Sequence, residues 1–216
     1  MKTALIIGST GLVGSALLNE LLAHPAYSKV ISFTRKPSGN THPKLHEHCI
    51  DFNNIASYKD LIQGDDLYCA MGTTIKKAGS QAAFTLVDYT YPYQFATIAK
   101  SNGVKQFLLV SSIGANAQSK NFYLQTKGTI ENDISLLGFE TVVIFRPSLL
   151  LGKRTEFRFG EKIAMHISQL FSFLFVGKLR PYAPIHSHTV AKAMVSVAQQ
   201  ANTGVNIYAS DAIKEV

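Results

Sequence analysis

Residues 4 to 18 read ALIIGSTGLVGSALL, and no other stretch of the 216-residue chain narrows its fold so sharply. Four apolar residues, Ala4 to Ile7, stop at a glycine. Gly8, Gly11 and Gly14 then follow in G-x-x-G-x-x-G spacing before apolar residues resume at helical intervals. A strand before and a helix after give that spacing its meaning. Gly8 permits a tight turn, Gly11 lets backbone N–H groups approach a pyrophosphate, and Gly14 lets helix and strand pack closely. The helix N-terminus adds a favourable potential for the anion. Gly8, Ser9, Thr10, Gly11, Leu12, Val13 and Gly14 are therefore candidate dinucleotide contacts.

Further apolar runs of strand length recur at Lys29 to Thr34, Asp66 to Ala70, Gln106 to Val110 and Thr141 to Phe145. Helical patterns separate them: Gly11 to Ala23 carries Leu12, Ala16, Leu17 and Leu21 on one side, and Gln81 to Ser101 carries Phe84, Val87, Phe95 and Ile98. Strands alternating with helices predict an α/β fold, a doubly wound parallel sheet that binds ligands at the carboxyl ends of its strands. With 46% hydrophobic residues the chain suffices for one core, so residues 1–216 are expected to form a single domain. After Arg146 the pattern loosens into a loop from Leu151 to Gly160, a helix to about Val176 and a last helix from Ser187 to Ala201. Residues 147–216 are expected to supply a small lid and the substrate pocket.

The second strand, in VISFTRKP, ends where an acidic residue would hold the ribose of NAD. Here Thr34, Arg35 and Lys36 occupy that region, and a guanidinium grips a 2′-phosphate where a carboxylate would repel it. The expected cofactor is NADP(H), with NAD(H) the less favoured alternative. After the fourth strand, Ala70, Met71 and Gly72 in CAMGTTIKKAG are placed under the cofactor's riboses. The net charge of +7 agrees with a phosphate-bearing small molecule. No basic run exceeds two residues, and no nucleic-acid partner is expected.

KQFLLVSSIG reads as a central strand ending at Ser111 and Ser112, with Ser112 at the edge where the reactive ring of the cofactor would lie. Asn121 to Leu137 reads as the next helix, on which Tyr123 and Lys127, four apart, share a face. A phenol titrating near 10 is a poor acid–base catalyst at neutral pH. A cation about 4 Å away lowers that value by up to about 3 units before screening and desolvation are counted. Tyr123 then exchanges a proton with a substrate carbonyl or alcohol while hydride moves at the adjacent carbon, and Ser112 hydrogen-bonds the same oxygen.

With Gly8, Gly11, Gly14, Ser112, Tyr123 and Lys127 in that order, followed by FRPSLLLG from Phe145 to Gly152, the chain resembles the short-chain dehydrogenase/reductase superfamily. LLVSSIGANAQSKNFYLQTKGTIE together with VIFRPSLLLGKR is most similar to the atypical group that contains the Tat-interacting-protein-like oxidoreductases. The resemblance implies a Rossmann fold, NADP(H) binding, a Lys127 that also touches the cofactor ribose, and an Arg146–Pro147 segment bordering nicotinamide and substrate. The serine-to-tyrosine interval is short and the tail is small for this superfamily. The reaction expected is NADP(H)-dependent oxidoreduction of a small carbonyl or alcohol. Two alternatives stand beside it: a dinucleotide-binding regulatory protein with little turnover, and an epimerase-like isomerase of nucleotide sugars, the latter disfavoured by the size of the tail.

Other features read as structural. His42, His46 and His48 in THPKLHEHC lack a second ligand cluster with zinc-like spacing, so a solvated edge strand is expected there and no metal. His186 and His188 flank a helix start at Ser187 and could line a pocket, though capping accounts for them. Cys49 and Cys69 have no paired spacing, which favours a reducing compartment. The opening apolar run is too short for a signal-peptide core, and a cytoplasmic protein is expected. Ile163 to Val176, interrupted by His166, Ser168 and Gln169, falls short of the ~20 residues that span a bilayer. No integral membrane segment is expected, Phe171, Phe173 and Phe175 being candidates for a surface contact, and the chain is expected to be a monomer or homodimer.

Overall fold

The side chains of the first strand, β1 (Lys2–Ile7), alternate between two separate cores. Ala4 and Ile6 pack into one, Leu5 and Ile7 into the other, and all four are fully buried. A strand buried on both faces needs helices on both sides, which is the physical content of the doubly wound fold. The computed structural model describes residues 1–152 and 177–216. Residues 153–160 of the expected loop from Leu151 to Gly160, the helix from Ile163 to Val176 and Phe171, Phe173 and Phe175 lie outside the described residues.

From β1 the chain runs through α1 (Leu12–Ala23) to β2 (Tyr27–Thr34) and the edge strand β3 (Leu45–Cys49). It then crosses back to β4 (Asp66–Cys69) and passes through a short helix, α2 (Ile75–Ala78). Next comes one long helical stretch, α3 (Gln81–Thr85), a wide π turn at Leu86–Thr90 and α4 (Tyr91–Ser101). β5 (Gln106–Val110), α5 (Phe122–Ser135) and β6 (Thr141–Arg146) follow. Two short strands, β7 (Leu150–Leu151) and β8 (Ile185–His186), pair with each other ahead of α6 (Ser187–Val197), β9 (Gly204–Ala209) and α7 (Ser210–Glu215).

Seven strands form a sheet in the order β3-β2-β1-β4-β5-β6-β9, every pair parallel. The strand order reverses between β1 and β4, and such a switch point opens a crevice beyond the carboxyl ends of those two strands. The register Ile7↔Cys69 brings Gly8 level with Ala70 across it. One face of the sheet is covered by α1 and α6, the other by α4 and α5.

Two differences from the sequence reading have physical causes. The stretch expected as one regular helix from Gln81 to Ser101 widens at Leu86–Thr90. Pro92 has no N–H to return to the Asp88 carbonyl four residues back, and its ring would clash with that carbonyl; an added residue in the turn relieves both. The tail, expected as a lid, contributes to the sheet itself: β9 joins β6, with Tyr208 stacked on Phe145 at 5.6 Å, as the seventh strand. The last long helix ends at Val197, four residues before the expected Ala201.

Candidate functional site

The loop after β1 is built from close backbone contacts. Gly8 sits at φ +83°, a region open to glycine, and a Cβ there would lie 2.5 Å from the carbonyl carbon of Ala70. Gly11 N–H donates to the Gly8 carbonyl at 3.0 Å and caps α1 with no side chain on its free N–H groups. Gly14 has the least room, because a Cβ would stand 1.9 Å from the Gly8 oxygen. Thr10 is exposed and Leu12 half-buried, but the Ser9 hydroxyl bonds Ser32 of β2 at 2.7 Å and Val13 is buried in the core, so these last two face a ligand through backbone only. The first turn of α1 carries no acidic residue, which leaves its positive potential for an anion. A glycine cradle with a bare helix start fits a pyrophosphate.

Arg35 and Lys36 follow β2 and are exposed, and Arg35 has no hydrogen-bonding or ionic partner among the described residues. Across the crevice Ala70 and Met71 are half-buried and Gly72 exposed. A Cβ on Gly72 would lie 3.8 Å from Nζ of Lys127 and 3.4 Å from Oδ1 of Asp88. The second half of the site therefore abuts the loop after β4.

Lys127 is 5% exposed and Asp88 2%, and Lys127 Nζ pairs with Asp88 Oδ1 at 2.8 Å. The other oxygen of Asp88 accepts the Thr73 N–H at 2.8 Å. Burial works to strip the proton from Lys127, but the Asp88 carboxylate and, behind it, the Tyr123 phenol outweigh burial and raise the lysine above its ordinary range. Tyr123 stands half-buried in the first turn of α5, its ring 5.7 Å from that of Phe84. Asn121 caps this helix by accepting the Leu124 N–H at 3.2 Å. Cys69, fully buried at the end of β4, has its thiol pushed up to about 11 by burial.

The serine pair divides its work. Ser111 is buried, its N–H donates to the Phe145 carbonyl at 2.7 Å, and its hydroxyl has no partner among the described residues. Ser112 is half-buried, with its hydroxyl only 3.4 Å from the Ile113 carbonyl, and so is free to turn toward a ligand. Ile113 N–H donates to the Pro147 carbonyl at 2.9 Å, which sets Pro147 beside the serine loop. Arg146 is held from the side: its Nε donates to both carboxylate oxygens of Glu131 at 3.0 and 3.1 Å, so the guanidinium braces β6 against α5. With Asn116, Gln118, Gly128 and Asn132 this pair lines a recess of ≈ 310 Å³ between the serine loop and α5.

Asp88 and Glu131 were absent from the sequence reading. Glu131 continues the four-residue spacing of Tyr123 and Lys127, and Pro92 is the local mark of the turn that carries Asp88. The histidine stretch forms the expected edge strand, where the His48 ring packs 5.5 Å from Phe33 and burial lowers its pKa. Among the described residues no helix is long and apolar enough to cross a membrane.

Residues 8–162 match the family described as NAD(P)H-binding. The chain belongs to the NAD(P)H-binding family. This NAD(P)H-binding protein has a Rossmann fold. It is 36% identical over 205 residues to Protein FMP52, mitochondrial, of Candida albicans, covering 92% of this chain and 89% of that one. It is 36% identical over 167 residues to Protein HTATIP2 of Rattus norvegicus, covering 76% and 69%. The fold is shared with the Bordetella bronchiseptica enzyme WbmH in complex with NAD+ at TM-score 0.73 and 19% identity, over 100% of this chain and 79% of that one. It is also shared with a short-chain dehydrogenase/reductase superfamily protein from Agrobacterium tumefaciens with bound NAD at TM-score 0.70 and 15% identity, over 95% and 76%. The expectation of a cytoplasmic protein is corrected by the fungal relatives, which are named as mitochondrial proteins.

Proposed function

We propose that the protein is an NADP(H)-dependent oxidoreductase that reduces a small carbonyl compound or oxidises the matching alcohol. The observation that carries this reading is Lys127, a buried cation held at the crevice floor one helical turn after Tyr123. A buried ammonium is costly unless it is paired, as Lys127 is with Asp88, and ionisable groups perturbed by burial and a specific charge partner cluster at working sites.

The bound nicotinamide supplies the hydride or accepts it. The start of α1 and the Gly8–Gly14 loop would hold the pyrophosphate, Arg35 would grip the 2′-phosphate from the end of β2, and Lys127 would donate to the nicotinamide ribose. Tyr123 would give its phenolic proton to the carbonyl oxygen, and take one from the hydroxyl in the reverse direction. Ser112 donates a hydrogen bond to the same oxygen and fixes its position.

Dissociation constants of NADPH, NADP, NADH and NAD for the wild type and Arg35→Ala, measured by calorimetry, test the cofactor half. Loss of about tenfold or more in NADPH affinity in the variant, with NADH unchanged, supports the assignment. A carbonyl panel with Tyr123→Phe as the control then tests turnover. Tight binding with no turnover on any carbonyl would replace the enzyme by a dinucleotide sensor, and no binding at all would end both readings.

A further inference from the structure

Around the ammonium of Lys127 stand Asp88 from the π turn, Tyr123 from its own helix, Cys69 from the end of β4 and the backbone at Gly72. Cys69, pushed up to about 11 by burial, is neutral at physiological pH. Among the described residues this leaves Asp88 as the counter-charge, and Asp88 is as deeply buried as the lysine it faces. Its second oxygen is committed to the Thr73 N–H, in the loop that forms the crevice floor. A single carboxylate thus ties a cation on α5 to a backbone segment after β4. The wide turn at Leu86–Thr90 is what carries that carboxylate, and such turns recur at working sites.

We propose that Asp88 is a positioning residue for the dinucleotide: its two oxygens hold the Lys127 ammonium charged and lock it to the crevice floor at Thr73, so that lysine and floor meet the ribose as one rigid unit. The inference rests on the reading that Lys127 contacts the ribose. It assigns the carboxylate two separable duties. An asparagine at 88 still accepts the Thr73 N–H through its side-chain oxygen, but it carries no charge to offset the burial of the lysine. Asp88→Asn therefore removes the counter-charge and keeps the loop contact. With burial unopposed by Asp88, Lys127 gives up its proton at a lower pH and its ribose contact ceases to be charge-assisted.

The test is NADPH affinity between about pH 6 and pH 9, by calorimetry on the full chain, for the wild type, Asp88→Asn, Lys127→Met and the double variant. Relative to the wild type, Asp88→Asn is expected to bind comparably at the acid end and about tenfold more weakly at the alkaline end. Lys127→Met and the double variant, which have no lysine to titrate, are expected to show a constant deficit across the range. An Asp88→Asn profile parallel to the wild type, whether level with it or uniformly lower, overturns the proposal, because a merely structural role gives no pH dependence. If the wild type binds no dinucleotide, the functional reading fails by itself, and the pair is judged from melting temperatures of the same four proteins. Asp88→Asn should then lose stability that Lys127→Met restores in the double variant; additive losses overturn the pairing.

Discussion

Gly14 has no room for a side chain. A methyl group there would meet the Gly8 oxygen at 1.9 Å and push α1 off the loop that it is meant to hold. Gly14→Ala is expected to cost about 1–3 kcal/mol of stability. Because the displaced N–H groups are those proposed to meet the pyrophosphate, NADPH affinity is expected to fall with it; denaturant melts and calorimetry on one preparation check both. These glycines were legible in the sequence because their role depends on local backbone geometry and a fixed spacing. Asp88 was not legible, since a lone carboxylate in an amphipathic helix looks like any solvated position until the tertiary structure places a buried ammonium against it. Lys127 adds a pH prediction. Its folded-state value is raised, so the stability contributed by its pair is fully present below the unfolded value of about 10.4 and is lost as pH rises through the higher folded value. The stability gap between the wild type and Lys127→Met should hold steady from neutral pH to about 10 and narrow above it, as read from melting temperatures across that range.

Helix α5 shows how an element can be legible while its neighbours are not. Its approximate extent and the shared face of Tyr123 and Lys127 follow from short-range pattern. Its opposite side is set by a contact no periodicity reports: a Cβ on Gly128 would lie 2.1 Å from the Ala117 nitrogen and 2.2 Å from the Asn116 carbonyl carbon. The helix rests backbone to backbone on the loop that leaves Ser112. Gly128→Ala must part the two, at a cost of about 1–3 kcal/mol, and it should lower turnover on any accepted carbonyl more than NADPH affinity. Equal losses in the two measurements would instead indicate that α5 shifts as a whole. The partner of Arg146 was hidden for a related reason. Glu131, two turns into α5, holds the guanidinium, and only the approach of β6 to α5 reveals that pairing.

Across the whole molecule, the candidate site and a cohesive polar network occupy opposite rims of the sheet. The amino ends of β1, β2 and β4 contribute Lys2, Tyr27 and Asp66 to a buried network in which the Tyr27 hydroxyl donates to Asp66 at 2.6 Å, contacts the Tyr68 hydroxyl at 2.6 Å and accepts from Gln199 at 2.9 Å. Lys2 completes it with an ion pair to Asp66 at 3.0 Å. Tyr27→Phe strands these partners and should cost about 1–3 kcal/mol in denaturant melts while leaving NADPH affinity unchanged. The parallel sheet was legible from the alternation of strand and helix patterns. Its seventh strand was not, since Val205 and Ile207 are half-exposed and too few residues alternate to stand out from a loop. That strand has a consequence for biosynthesis. β6 leaves the ribosome with one backbone edge unpaired, and the partner for that edge, β9, is encoded about sixty residues further on. A nascent chain therefore carries an open hydrogen-bonding template through a sizeable part of translation, an interval in which a chaperone or a stray strand can reach it first.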